Sequence, residues 1–588
     1  MKQIPIVRLL FVAIFAFVAA QFAQAATCYW TGGENSSWGT KENWSSNENK
    51  VPTDDSAFFL SDKFDSRFTG DNYLVTFDGA YVNNKRTFFN DCGTASDPIV
   101  LRANDASYGF TGGDASDEGI YIGTAYSEGN SGSKDNDASE GDAYVRFETG
   151  TFAVGGSSRW YLGNDSYAGH MTVAGATINS PNSFYLNRGS LTVESGTVNV
   201  GNGTLNLSAS DDATVTMNGG TLVYGDLNVG ASDGSTGKLT VNGGTVTTHK
   251  SDWCFRVGHK ANSTGIVELN NGDVYCTYLR IGHDVGSAGD FTMNGGTLTV
   301  NTQFLVGWAS GATGNFTLNG GTVTASDIFA SSGTGTLTFN GGTLKARSAG
   351  TLIRNSANLT VTVGENGGTI DSDNKAITVA KAIGGEGGLT FTGGGSVTLE
   401  EGNDYTGETK IAVRTKLVVA NATELARLLA NGVTIVKPER GSAKGTYKLI
   451  ALNDGTDCMA EEYERITKGA GLEGATFAVD VDGDITVTVS HTTQTWAGAA
   501  EVSALWSGNN WDEGARFDDG NDAVFATDGA IAEVDADFSA YTLTFNDNAE
   551  LTGAGTLTLT EPMPLLKARL LPSQCLSLVR LRRPARER

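Results

Sequence analysis

A parallel β-helix of about 24-residue rungs, all-β in class, is what this sequence predicts, on three observations. The first is a repeated phrase. Val215-Thr-Met-Asn-Gly-Gly-Thr-Leu222 returns as Leu239–Val246, Phe291–Leu298, Phe316–Val323 and Leu337–Leu344, and in blurred form as Val267–Val274. Looser relatives carry the same register threonine at Thr151, Thr177, Thr197 and Thr369, an average step of about 24 residues, which is the range of solenoid repeats. The second is periodicity. This phrase and a companion one (Leu227-Asn-Val-Gly230, Phe255-Arg-Val-Gly258, Leu279-Arg-Ile-Gly282, Phe304-Leu-Val-Gly307) alternate apolar with polar residues, as strands do, and no helical spacing lies between them. The third is composition: 77 Gly against 9 Pro and only 18% charged residues in 588 suits a turn-rich β protein.

Aligning the repeats defines columns. Val215, Leu239, Val267, Phe291, Phe316 and Leu337 form one inward column, and Met217, Val241, Leu269, Met293, Leu318 and Phe339 a second. Asn218, Asn242, Asn270, Asn294, Asn319 and Asn340 form a third at the turn, where amides at strand spacing hydrogen-bond up and down the stack. These asparagines are read as structural, and truncating one is expected to cost about 1–2 kcal/mol if the amides are buried. Glycine pairs supply the bends.

Taken in order, residues 1–25 read as a secretory signal peptide. Lys2 and Arg8 precede the apolar run Leu9–Ala20, and Ala23-Gln-Ala25 offers a small-residue cleavage site. Residues 26–60 form a Trp-rich start, with Trp30, Trp38 and Trp44, then Phe58-Phe59. The preferred reading is a cap over the open end of the stack; the alternative is a sugar-stacking surface. Residues 61–145 are acidic and irregular and read as early rungs with long exposed loops. Residues 146–420 carry the clear β-helix repeats.

Within that span the text changes to Ala382-Ile-Gly-Gly-Glu-Gly-Gly-Leu-Thr-Phe-Thr-Gly-Gly-Gly-Ser-Val-Thr-Leu399, then Asn403-Asp-Tyr-Thr-Gly-Glu-Thr-Lys-Ile411. This resembles the autotransporter-associated β-strand repeat of bacterial passenger-type surface proteins, and the Trp-rich starts resemble the segment that commonly precedes it. The resemblance implies a right-handed parallel β-helix carried outside the cell.

Residues 421–490 read as the C-terminal cap of the first module. A helix is expected over 423–431 with Thr423 as N-cap and Gly432 past its end, and a second over 461–468. Strands at 446–452, 476–481 and 484–489 would close the stack, since an open end leaves unpaired strand edges. Residues 491–560 start a second, incomplete module, with Trp496, Trp506 and Trp511 in the same arrangement as the first three tryptophans. Residues 561–588 break the pattern: they hold no glycine and end in a basic run. This tail is read as a shifted reading frame rather than a sorting tail. The other two frames of the underlying DNA, read past Thr560, are then expected to continue in Gly-rich repeat text.

The net charge of −25 argues against nucleic acid and anionic membranes as partners. Apart from the signal peptide, no stretch is long and apolar enough to span a bilayer. Cys254 and Cys276 lie in adjacent rungs but two positions out of register, at roughly 8 Å between Cα atoms, beyond easy bridging. His259, His283 and Trp308 follow the companion phrase in successive rungs and should stack, beside an outward pair, Arg256 and Arg280. This basic-aromatic face is the candidate for an acidic or sugar ligand. Spacing and strand parity oppose a zinc site, and no metal or cofactor is assigned. Catalysis of the polysaccharide lyase or hydrolase kind needs clustered carboxylates. Across residues 224–345 no two neighbouring rungs carry them at equivalent positions. The sequence therefore predicts an exported, non-enzymatic surface or adhesin-like protein that meets surface glycans or other cells. Two alternatives stand beside it: a β-helix lyase or hydrolase using the acidic residues of 61–145, and a carbohydrate-binding protein using the Trp-rich segments.

Overall fold

The computed structural model describes residues 27–31, 36–46, 51–52, 56–60, 74–77, 81–84, 86–105, 109–112, 119–124, 141–248, 252–400, 402–438, 443–546, 549–561 and 580–582. The signal-peptide segment, the acidic run 128–140 and nearly all of the basic tail lie outside them. The chain is 54% strand and 4% helix and forms a parallel β-solenoid of about 18 turns with a spacing of about 24 residues. It divides into two compact units. The first holds the chain to Thr317 with Ala330–Thr336; the second holds Leu318–Phe329 and everything from Leu337 on.

In the first unit each regular rung has three strands. One rung runs through Thr236–Val241, Thr245–Thr248 and Cys254–Val257. The next repeats it with Thr264–Leu269 and then Asp273–Ile281, which serves both remaining sides. Among the described residues these rungs pair in parallel, and the regular repeats keep the predicted register. Val215 pairs with Leu239, Leu239 with Val267 and Val267 with Phe291, and Met217, Val241, Leu269 and Met293 align the same way. Both columns are buried. Alternation decides which face is inside, so a one-residue slip would expose the whole column. The early strands obey the same stacking over longer connections: Phe58 pairs with Phe88, Phe88 with Tyr121 and Tyr121 with Tyr161.

The first end is closed by the Trp-rich segment. Thr27–Trp30 lies parallel on Ser56–Leu60 and antiparallel to Trp44–Ser46. Trp38 donates its backbone N–H to the Thr76 carbonyl at 2.9 Å, occupying part of the edge of Leu74–Phe77. The three indoles turn inward at 0%, 1% and 3% exposure for Trp30, Trp38 and Trp44. A sugar-stacking role for these three does not fit this placement, because no ring face is open. Strand parity turns Trp30 and Trp44 inward from Thr27–Trp30 and Trp44–Ser46, and the turn after the Ser37–Thr76 bridge brings Trp38 in beside them.

The second unit continues the language. Thr322–Ala325, Thr343–Ala346, Gly368–Asp371, Leu389–Thr392, Thr409–Ala412, Val433–Val436 and Ile466–Lys468 stack in parallel. Asn403 and Tyr405 work where the coil tightens. The Asn403 side chain accepts from Ile383 N–H at 3.0 Å, and the buried Tyr405 hydroxyl meets Thr409 Oγ1 at 2.7 Å. The helix Ala422–Asn431 buries Leu425, Leu428 and Leu429 on one face. Its N-cap is Asn421, whose side chain accepts from Glu424 N–H, and not Thr423; the Asn421 backbone is extended while Thr423 already lies inside the helix. The second expected helix shrinks to Ala460–Tyr463, because Ile466–Lys468 instead pairs with Val433–Ile435. Sheet pairing here overrides a local helical preference. The stack ends in antiparallel pairs, Gly445–Leu452 with Ile485–Val489 and Ile485–Val489 with Thr476–Val479.

A second stack then begins with Thr493–Thr495 on Asn521–Phe525 and Ser503–Leu505 on Ala530–Glu533. Its opening reproduces the first tryptophan cage. Trp30–Trp44 and Trp496–Trp511 ring centroids are 5.0 and 5.1 Å apart. Trp38–Trp44 and Trp506–Trp511 are both at 4.6 Å. Trp44 Nε1 donates to the Trp38 carbonyl at 2.9 Å, and Trp511 Nε1 to that of Trp506 at 3.1 Å.

The asparagine ladder forms. Asn242, Asn270 and Asn294 each donate Nδ2 to the preceding amide oxygen at 2.8–2.9 Å, and in the second unit Asn340 donates to Asn319 at 3.0 Å. The amides of Asn218, Asn242, Asn270 and Asn294 are solvent-exposed, however. They sit on the outside of the turn, so water replaces a lost partner. Asn294→Ala is therefore expected to cost about 0.5 kcal/mol in denaturant unfolding, below the buried-amide figure. A loss above about 1.5 kcal/mol would mean that the ladder behaves as a buried network.

Candidate functional site

His259, His283 and Trp308 fall where the sequence places them. Each follows a glycine in the left-handed region, Gly258, Gly282 and Gly307, which turns the chain out of the third strand. His283 N–H bonds Gly258 O at 2.9 Å and Trp308 N–H bonds Gly282 O at 2.8 Å, so the residues climb one rung at a time. The imidazole centroids of His259 and His283 are 5.2 Å apart, and His283 lies parallel to Trp308 at 6.5 Å.

Arg256 and Arg280 pair side by side in adjacent strands. Their environments differ. Arg256 is neutralised by Asp226 at 3.2 Å and bonds Asn228 Oδ1 at 3.0 Å. The Arg280 guanidinium carbon lies 4.5 Å from the Trp308 ring centroid and 5.9 Å from that of Tyr278. No carboxylate among the described residues ion-pairs with Arg280. Its Nη1 points at His283 Nε2 at 3.4 Å, while His283 Nδ1 faces the His259 carbonyl at 3.4 Å. Only a neutral His283, with its proton on Nδ1, fits both contacts.

The electrostatics agree. Burial, then the Arg256 charge, pushes His259 from its usual 6.5 down to about 3 and His283 down to about 4, with Asp284 opposing in both. Since both values fall on folding, the unfolded chain binds more protons below about pH 6.5. The stability these two residues contribute is fully present above that pH and is lost as pH falls through about 4 for His283 and about 3 for His259. His259→Gln with His283→Gln is expected to flatten the acid limb of the stability curve. An unchanged limb would rule out the histidines as its source.

An outward ladder that sequence reasoning missed continues from this patch. Tyr121, Tyr161 and Tyr185 stack nearly parallel, at 5.1 and 5.4 Å. Phe88 lies below Tyr121 at 4.7 Å. In the other direction Tyr185 pairs with Asn206, Asn206 with Asn228 and Asn228 with Arg256. Arg159 reaches over Tyr185, 5.7 Å from its centroid, and its Nη1 touches the Tyr161 hydroxyl at 3.4 Å. The signal was the tyrosine between two apolar residues in Ile120-Tyr-Ile122, Trp160-Tyr-Leu162 and Phe184-Tyr-Leu186, but the unequal spacing hides it from a search at a period of 24.

The remaining candidates supply no reactive group. Cys254 and Cys276 are buried free thiols, and burial raises both, as it raises Cys458 to about 11. These thiols stay protonated and un-nucleophilic. Asp480, Asp482 and Asp484 converge, but Lys448 Nζ fills their centre at 3.3, 2.6 and 2.9 Å. Among the described residues no group of three or more His, Cys, Asp or Glu is placed to hold a metal ion. None of their helices is long and apolar enough to cross a membrane. Comparison with protein-family models, with curated proteins and with solved structures finds no match in any of the three.

Proposed function

We propose that this chain is an exported, surface-held structural protein of the passenger type, adhesive rather than catalytic. The observation that carries the reading is where the outward side chains are spent. Many of them bond from rung to rung: the amide ladder, and ion pairs such as Arg146–Glu194 at 2.9 Å and Lys238–Glu268 at 2.8 Å. Side chains committed to one another stiffen an extended surface. The signal-like residues 1–25 and the resemblance of 382–411 to the autotransporter-associated repeat support export. The test is protease shaving of intact producing cells, with N-terminal sequencing of the product. Exposure outside the cell and a start at Ala26 are expected. Retention inside with residues 1–25 intact would overturn the reading, and release of reducing sugar from polysaccharide would overturn its non-catalytic part.

A further inference from the structure

We infer that the outward face formed by the third strands of successive rungs in the first unit, from Tyr161 to Arg280, binds a linear anionic polysaccharide, with Arg280 as the anchor. This rests on the surface-protein reading and adds the class of partner. Three features point to it.

The first is charge. In a chain of net −25, Arg159 and Arg280 stand on this face without a carboxylate partner among the described residues. The Nε of each is buried and unbonded. Arg280 is held by Trp308 and Tyr278, which strip some of its water without neutralising it. Its pre-set planar fork suits an acidic group on two oxygens. The second is periodicity. Tyr161, Tyr185, Asn206, Asn228, Arg256 and Arg280 hold successive positions of one column, about 4.8 Å apart. That repeat is close to the advance per sugar of an extended pyranose chain, and the groups match ring hydroxyls and carboxylates. The buried Asn228 bonds Asn206 and Arg256, so it braces the column while its neighbours meet the ligand. The third is the absence of the features a peptide uses. Peptides dock by adding a strand to a free edge or by filling apolar pockets. Here the strands from Arg159–Leu162 to Cys254–Val257 are paired on both sides.

The experiment is affinity electrophoresis of the intact chain through gels containing polygalacturonate, dextran sulfate, neutral glucan or polyglutamate. Retardation by one or both anionic polysaccharides is expected, and which one identifies the acid as carboxylate or sulfate. No retardation is expected in the other two gels. Arg280→Gln should weaken binding about tenfold or more, as loss of one charge-assisted contact does. Arg347→Gln, an exposed arginine in the second unit, should leave it unchanged. Circular dichroism checks that each variant is folded, and Arg159→Gln provides a second variant should Arg280→Gln fail that check. Equal retardation by polyglutamate, undiminished binding in the folded variant, or no binding to either anionic polysaccharide would overturn the inference and leave surface exposure untouched. Shortening of the polymer would instead overturn the non-catalytic reading.

Discussion

Trp38→Ala is expected to destabilise the first unit by about 3–5 kcal/mol, the range for emptying a buried aromatic site. Trp38 is 1% exposed, stacks on Phe77 at 5.1 Å and meets Trp44 edge to face at 4.6 Å. Its carbonyl accepts the Trp44 indole N–H, so the second ring loses its fixed position when the first shrinks. Trp308→Ala, at a half-buried surface ring, should cost about 1 kcal/mol or less. Denaturant unfolding followed by circular dichroism measures both. Equal, small losses would mean that the three N-terminal tryptophans are not a cage. The same comparison separates a cap from a glycan-stacking surface, because a cap fails in stability and a binding surface fails in affinity.

Gly244→Ala is the second large effect. Gly244 has φ +77°, and a Cβ there would stand 2.5 Å from the Gly220 carbonyl oxygen of the rung below. That oxygen accepts the Thr245 N–H at 2.9 Å, so relieving the clash breaks a rung-to-rung bond. Left-handed strain and the lost bond together predict about 2–4 kcal/mol. Gly234 is the control: φ is +72°, but nothing lies within 4 Å of the point where an added methyl group would stand. Gly234→Ala should cost only the conformational term, about 1 kcal/mol. If the two variants lose the same amount, crowding between rungs is not what selects glycine.

Much of the fold was legible because a solenoid makes distant contacts periodic: Val215 meets Leu239 for the same reason that Leu239 meets Val267. The same logic placed His259 under His283 and Arg256 beside Arg280. It did not give the exposure of Asn294, because register fixes which residues are neighbours and not how far a turn projects. Nor did it reveal the ladder from Phe88 to Tyr185, whose members pair correctly across insertions of unequal length. The isolation of Arg280 was equally hidden. Asp284 is four residues away and Asp226 two rungs below, and only the fold shows that Asp226 is given to Arg256 and that Asp284 makes no ion pair with Arg280.

The two tryptophan cages have a developmental consequence. A strand in the middle of the stack needs an already ordered neighbour to pair with, so the stack grows from somewhere. Each cage provides its own antiparallel contact, Trp30 with Trp44 and Trp496 with Trp511, and its own dense aromatic nucleus from local sequence. It can therefore order before any rung exists to template it. A chain built this way has two seeds rather than one. The number of rungs between them is free to change by whole repeats over evolutionary time, since nearest-neighbour stacking leaves each seed indifferent to how many turns follow it.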